Sequence, residues 1–181
     1  NAGFTILVGT SGWMQATGIF CGANGAITNN GEFVLTGGTF RAASAPITVN
    51  GNMTLYAGTL THCANANLET YKINLAVNGN LTIASNGAMA ADGLGYRGNQ
   101  GPGRGTVLFD SGGYGGIGGF TSANGASSAT YGSITSPTNL GSGGTYDSAN
   151  CGGGAVLLVV SGTLTNNGII SANGVGPGQS A

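Results

Sequence analysis

The apolar positions of this chain come in short runs that alternate with polar ones: Phe33-Val34-Leu35, Met53-Thr54-Leu55, Leu81-Thr82-Ile83. Period-two alternation over a few residues is the pattern of a strand with one face in a core. No window of about 12 residues carries apolar spacing at three and four, and Gly, Thr and Asn are poor helix formers. Only residues 68–76, LETYKINLA, read equally well as a helical turn or as a loop running into a strand. The longest apolar run, AVLLVV at 155–160, has the length of a strand buried on both faces.

The stretch VNGNMTLYAGTL at 49–60 looks at first like a hairpin, because Asn-Gly between alternating apolar residues is the strongest short-range signal for one. Aligned on the rest of the chain it reads differently. NGEFVLTGGTF at 30–40 and NGNMTLYAGTL at 50–60 match in register; VNGNLTIASNGAMAADG at 77–93 is a third copy, and VSGTLTNNGIISANG at 160–174 a fourth. The excess before the third copy falls in the polar stretch HCANANLETYK. Self-similarity near about 20 residues, with short strands and small polar corners, is the signature of stacked coils.

The expected fold is therefore all-β, a parallel β-helix or β-solenoid with coils of about 20 residues and a glycine-rich insertion. Residues 53–55 should pair in parallel with residues near 33–36 and 81–84, not antiparallel with 46–49. Phe33, Met53 and Leu81 should form one interior column, and Leu35, Leu55 and Ile83 a second. The Asn-Gly corners should adopt positive φ, and their Asn side chains can bond along the stacking axis in ladders.

From Gly93 to Gly154 the repeat disappears and 20 of 62 residues are Gly. Tyr96, Phe109, Tyr114, Phe120, Tyr131 and Tyr146 are spaced through it. Aromatic residues at that frequency pack onto something, so residues 93–154 are expected to be an ordered, irregular insertion. It would lie along the solenoid or against a neighbour, within one domain covering 1–181.

Composition narrows the partners. Gly (38), Thr (20), Asn (19) and Ser (14) account for half of the chain, while Asp, Glu, Lys and Arg supply nine residues and a net charge of −1. Disordered chains usually carry high net charge and little apolar matter, so a folded β-protein is expected. Arg41, Lys72, Arg97 and Arg104 are too few for the basic footprint of a nucleic-acid partner, and no apolar run approaches a membrane span. A surface with so little charge is poorly protected against self-association. The opening Asn1-Ala2-Gly3-Phe4 is expected to belong to a processed chain or a piece of a longer one. The composition suits an extracellular or cell-surface setting.

The run from YGSITSPTNLGSGG (131–144) through GGGAVLLVVSGTLTNNGIISANG (152–174) resembles glycine-rich segments of large secreted bacterial proteins. In these a glycine-rich insertion precedes a strand and a coil of the pattern G-x-L-x-x-N-G-x-I-x-A-N-G. Related parallel β-helices occur in autotransporter passengers and filamentous adhesins. The resemblance covers the last 45 residues and extends to the rest only as repeat style. It implies a secreted or surface β-solenoid with a structural or adhesive role, and no catalytic motif to carry over.

The inventory for chemistry is small. Asp92 with Arg97 and Arg104 is the nearest approach to the acid and base sets of polysaccharide-active β-helices. His62 adjoins Cys63, but strand neighbours point to opposite faces, so a corner histidine beside a structural cysteine is the expectation. Gly113-Tyr-Gly115-Gly-Ile-Gly118 matches a dinucleotide fingerprint only because the segment is one-third Gly, with no helix to follow. Asp92, Asp110 and Asp147 lack the spaced Asp-rich nonapeptide of calcium-binding β-rolls. No catalytic, cofactor or metal residues are assigned. Cys21, Cys63 and Cys151 allow one disulfide plus a thiol, an intermolecular bridge, or three separate thiols. The sequons at Asn52 and Asn80 fall at one position of two repeats.

The leading expectation is an extracellular structural protein, not an enzyme, whose solenoid stacks head to tail on itself into a filament or matrix fibre. The open ends would be marked by Phe4, Ile6 and Val8 and by Ile169 and Ile170. The alternative is a glycan- or surface-binding module of a larger adhesin, with Tyr96, Tyr114, Phe120, Tyr131 and Tyr146 as the contact surface. A polysaccharide-active enzyme ranks third.

Overall fold

A computed structural model describes residues 26–43, 45–119, 128–145 and 147–176, and the backbone of Leu7–Val8. Cys21, Phe4, Ile6, Phe120 and Tyr146, singled out above, lie outside the described residues, as does the side chain of Val8. The chain divides into two compact units. The first comprises 1–63, 71–90 and 156–171, and the second 64–70, 91–155 and 172–181.

The first unit is the β-solenoid. Its strands follow coil by coil: β1 (Leu7–Val8); β2 (Ile27–Asn29), β3 (Phe33–Leu35) and β4 (Thr39–Ala42); β5 (Ile47–Val49), β6 (Met53–Leu55) and β7 (Thr59–His62); β8 (Ile73–Val77), β9 (Leu81–Ile83) and β10 (Ala88–Ala90); β11 (Val156–Val160), β12 (Leu164–Asn166) and β13 (Ile169–Ser171). Each coil from β2 onward gives one strand to each of three parallel sheets, ordered β1-β2-β5-β8-β11, β3-β6-β9-β12 and β4-β7-β10-β13. Residues 68–72 are a loop and the strand begins at Ile73, so LETYKINLA resolves as loop into strand.

Register follows the repeat. Phe33 pairs with Met53, Met53 with Leu81 and Leu81 with Leu164, in parallel throughout. The steps are 20, 28 and 83 residues (53−33, 81−53, 164−81). Inward positions form one core with Phe33, Leu35, Met53, Leu55, Leu81, Ile83 and Met89, all at most 2 % exposed. Phe33 meets Phe40 edge to face, with centroids 5.7 Å apart. Burying a Leu or Phe side chain is worth about 1.5–3 kcal/mol, so these columns dominate the stability of coils only three short strands around.

The corners correct one expectation. Gly38, between β3 and β4, has the positive φ expected of a corner glycine (+74°), but Asn50, Gly51 and the equivalent Asn78 and Gly79 do not. Glycine is required by stacking instead. A Cβ on Gly51 would run into the Gly31 carbonyl, one on Gly79 would stand 2.6 Å from the Gly51 oxygen, and one on Gly162 2.6 Å from the Gly79 oxygen. Beside this column the expected ladder is present: Asn50 Nδ2 donates to Asn30 Oδ1 at 2.6 Å, and Asn78 Nδ2 to Asn50 Oδ1 at 2.8 Å. A second series runs two residues on, where Asn80 N donates to Asn52 Oδ1 and Thr163 N to Asn80 Oδ1, each at 2.9 Å.

Residues 155–160 correct another. β11 is an edge strand with β8 as its sheet partner, so only Val156, Leu158 and Val160 face the core; Leu157 and Val159 point outward and are 38 % and 57 % exposed. A continuous apolar run suits a strand covered on both faces, and the outer face here is not covered by the described residues.

The second unit has no strand or helix among its described residues. Its glycine-rich segments bond backbone to backbone: Gly95 N to Gly152 O, Tyr96 N to Gly141 O, Gly141 N to Gly153 O and Gly152 N to Tyr96 O, at 2.8–3.0 Å. Added Cβ atoms on Gly95, Gly112, Gly143 and Gly152 would collide with carbonyl oxygens of neighbouring segments. Glycine serves close packing here rather than flexibility. Tyr96, Leu140 and Ala155 form a small core, and Asn65, 4 % exposed, fixes the 64–70 loop by donating to Leu94 O and accepting from Thr70 N, both at 2.8 Å.

Candidate functional site

The last coil is where the solenoid's own rules are broken. Leu164 continues the column of Phe33, Met53 and Leu81, and Ile170 pairs with Met89 of β10. Their predecessors Leu81 and Met89 are 0 % exposed, yet Leu164 is 44 % and Ile170 39 % exposed. Outward-facing Ile169 is 59 % exposed. Among the described residues, β11, β12 and β13 are all terminal in their sheets. Edge strands present unpaired N–H and C=O groups as a template for another strand. Three such edges, with the partly exposed Leu164 and Ile170 and with Asn166 standing over Ile83, are therefore collected on one face of the unit.

Among the proposed contact aromatics, Tyr96 is 8 % exposed and lies within the small core of the second unit. Tyr114 and Tyr131 are half-buried and meet edge to face, centroids 5.0 Å apart. The Tyr131 hydroxyl donates to Leu140 O and accepts from Ser142 Oγ at 3.0 Å. Burial pushes the Tyr131 phenol up to about 12, against a smaller opposing effect of the Ser142 hydroxyl. The Tyr114 hydroxyl accepts from Asn139 N at 3.3 Å. A groove of about 370 Å³ beside this pair is lined by Gly115, Thr130, Tyr131, Gly132, Ser133 and Ile134.

His62 ends β7 and is 1 % exposed. Its Nδ1 donates to Cys63 O at 2.8 Å. Burial holds its pKa below the usual imidazole value, with the Cys63 carbonyl acting in the other direction. Cys63 and Cys151 are half-buried thiols. Asp147 is an exposed turn residue whose carboxylate accepts from Ala149 N (3.1 Å) and the Ser148 hydroxyl (3.2 Å), which lower its pKa. Asp92 Oδ1 accepts from Asn173 N at 2.5 Å, fixing two segments of the second unit. No group of three or more His, Cys, Asp and Glu side chains is assembled among the described residues. Among the described residues no helix is long and apolar enough to cross a membrane.

What sequence reasoning missed is a cavity of about 570 Å³ in the second unit, lined by Asp110, Ser142, Gly144, Asn150, Cys151 and Val175 among others. Asp110 and Asn150 are 40 residues apart on irregular backbone, so no spacing rule joins them. Comparison with protein-family models, with curated proteins and with solved structures finds no match for this chain.

Proposed function

We propose that this chain is an extracellular structural protein whose β-solenoid stacks head to tail on further copies of itself, building a filament or matrix fibre. The observation that carries the reading is the last coil. Leu164 and Ile170 occupy inward positions that are fully buried one coil earlier, and all three strands end their sheets. A parallel edge accepts a strand running the same way, so the fitting occupant is another coil of the same handedness and three-sheet layout. A second copy supplies that. Such a heterologous contact propagates without closing. The low charge leaves little repulsion between copies. The proposal includes kinship in style with autotransporter passengers and filamentous adhesins.

Electron microscopy and light scattering of the purified chain across salt and pH test it. Filaments or axial oligomers are expected, and Leu164→Lys with Ile170→Lys should disperse them by placing charge at the open core. Monodisperse monomers under all conditions would sink the reading.

A second reading, a glycan- or surface-binding module, draws on the groove beside Tyr131, whose lining mixes an aromatic ring with Thr130, Ser133 and the 78 % exposed Ile134. Glycan-array binding lost in Tyr114→Ala and Tyr131→Ala would support it.

A further inference from the structure

We propose that the cavity in the second unit is a binding site for a hard divalent cation, calcium rather than magnesium or zinc, held by Asp110 and Asn150. Asp110 is 3 % exposed, and its Oδ1 is buried with no hydrogen-bond partner. Asn150 Oδ1 is buried and unpartnered in the same way. Both residues line the same cavity. Two buried, unpartnered oxygens on residues that line one glycine-rich cavity are a demand for something positive, because a buried acceptor without a donor is costly and a buried carboxylate more so.

The backbone brings the two together. Gly144 N donates to Asn150 O at 3.0 Å, and the next residue's amide, Thr145 N, donates to Asp110 O at 2.9 Å. A Cβ on Gly144 would stand 3.0 Å from Asp110 O and 3.6 Å from the Asn150 Cβ, so both residues flank one dipeptide. Asp110 is fixed further by its own N–H, which donates to Thr145 Oγ1 at 2.9 Å, while its Oδ2 accepts from Val107 N at 3.3 Å. That leaves Oδ1 as its unused oxygen. Phe109, immediately before it and lining the same cavity, holds φ at +71°, a conformation an aromatic residue rarely adopts.

The donor chemistry selects the ion. A carboxylate and an amide oxygen carried on irregular backbone are hard ligands at no fixed angles, which suits calcium's flexible shell of oxygens. Magnesium requires a near-ideal octahedron and keeps much of its water. Zinc sites are built from Cys and His sets, and the cavity lining holds Cys151 but no histidine.

The test uses the full chain stripped with EDTA, titrated calorimetrically with CaCl2, MgCl2 or ZnCl2 and followed by thermal unfolding. One equivalent of calcium should bind with a dissociation constant on the order of 10⁻⁴ to 10⁻³ M, the range of sites with few carboxylates, and raise Tm. Asp110→Asn, which keeps the shape, should weaken binding at least about tenfold. Asn150→Asp should tighten calcium binding while lowering Tm in EDTA, a pair of opposite effects that a misfolded variant cannot give. Absence of heat and of any Tm shift in the wild-type chain at about 10 mM calcium would overturn the proposal. So would calcium binding that ignores both substitutions, or magnesium or zinc binding more tightly with the same sensitivity to them. If a water joins the two oxygens instead, Asn150→Asp will be destabilised equally with and without calcium, and the proposal fails.

Discussion

The openness of the last coil can be measured with two equivalent leucines. Leu81 and Leu164 are neighbours in one column, paired in register between β9 and β12. Truncating either to alanine removes three carbons, worth about 2.4 kcal/mol at roughly 0.8 kcal/mol per buried methylene. Leu81 is 0 % exposed and enclosed by its column, so Leu81→Ala incurs the whole of that plus a cavity term, about 3–4 kcal/mol. Leu164 is 44 % exposed, so a little over half the transfer free energy is at stake, about 1.3 kcal/mol, and the space it leaves opens to solvent rather than closing as a cavity. Urea unfolding of the dispersed chain, followed by far-ultraviolet circular dichroism, should therefore separate the two variants by about 2 kcal/mol or more. In material assembled as proposed the difference should shrink, because a stacked copy would enclose Leu164 as β12 encloses Leu81. Equal costs in dispersed chains would refute the reasoning, since Leu164 would then be buried by something else.

Three further outcomes are expected. Gly51→Ala and Gly79→Ala place a Cβ against the carbonyl of the coil below and should each destabilise by about 1–3 kcal/mol, whereas Gly37→Ala, with nothing within 4 Å, should be neutral or stabilising by up to about 1 kcal/mol; denaturant midpoints decide. His62 binds its proton more weakly when folded than when unfolded, so stability should be unaffected above about pH 6.5 and fall below it, by no more than about 1.4 kcal/mol per pH unit, until its depressed folded pKa is passed; His62→Gln should flatten that slope. The Tyr131 phenol is raised to about 12, so its stabilisation is complete below about pH 10 and declines between 10 and 12; a spectrophotometric titration in which Tyr131→Phe removes no late-ionising phenol would contradict this.

The solenoid was legible in the sequence because its determinants are local and repeated. Matching NGEFVLTGGTF to NGNMTLYAGTL gave the pairing of Phe33–Leu35 with Met53–Leu55 directly, since in parallel stacked coils register is set by the repeat itself. The reason for the corner glycines was not legible. Positive φ and close approach both select glycine, and only the stacked Gly31 and Gly51 carbonyls distinguish them. The exposure of Leu157 and Val159 was hidden for a related reason: a run of apolar residues reports what could be covered, whereas coverage depends on whether a layer lies outside. The cavity at Asp110 and Asn150 was out of reach because its segments are joined by backbone bonds between glycine-rich stretches, which leave no side-chain pattern.

The same repeat also shows which part of the open end could carry stacking. At the corner the inner coils read Asn50-Gly51-Asn52 and Asn78-Gly79-Asn80, while the last coil reads Ser161-Gly162-Thr163. The first ladder therefore reaches Asn78 and meets a serine. In the second, Thr163 receives the Asn80 side chain through its N–H but lacks an amide to pass on. The column of Phe33, Met53 and Leu81 and the three strand edges, by contrast, run on through β11, β12 and β13 in register with the coil below, whereas the column of Leu35, Leu55 and Ile83 ends at Asn166. A copy docking there would be aligned by backbone pairing and drawn in by Leu164, Ile170 and the half-buried Val156, Leu158 and Val160 rather than by amide ladders. That ordering would make the proposed association depend on apolar burial, so it should weaken on cooling and respond little to salt. Corner-driven association through polar ladders would not weaken on cooling in that way.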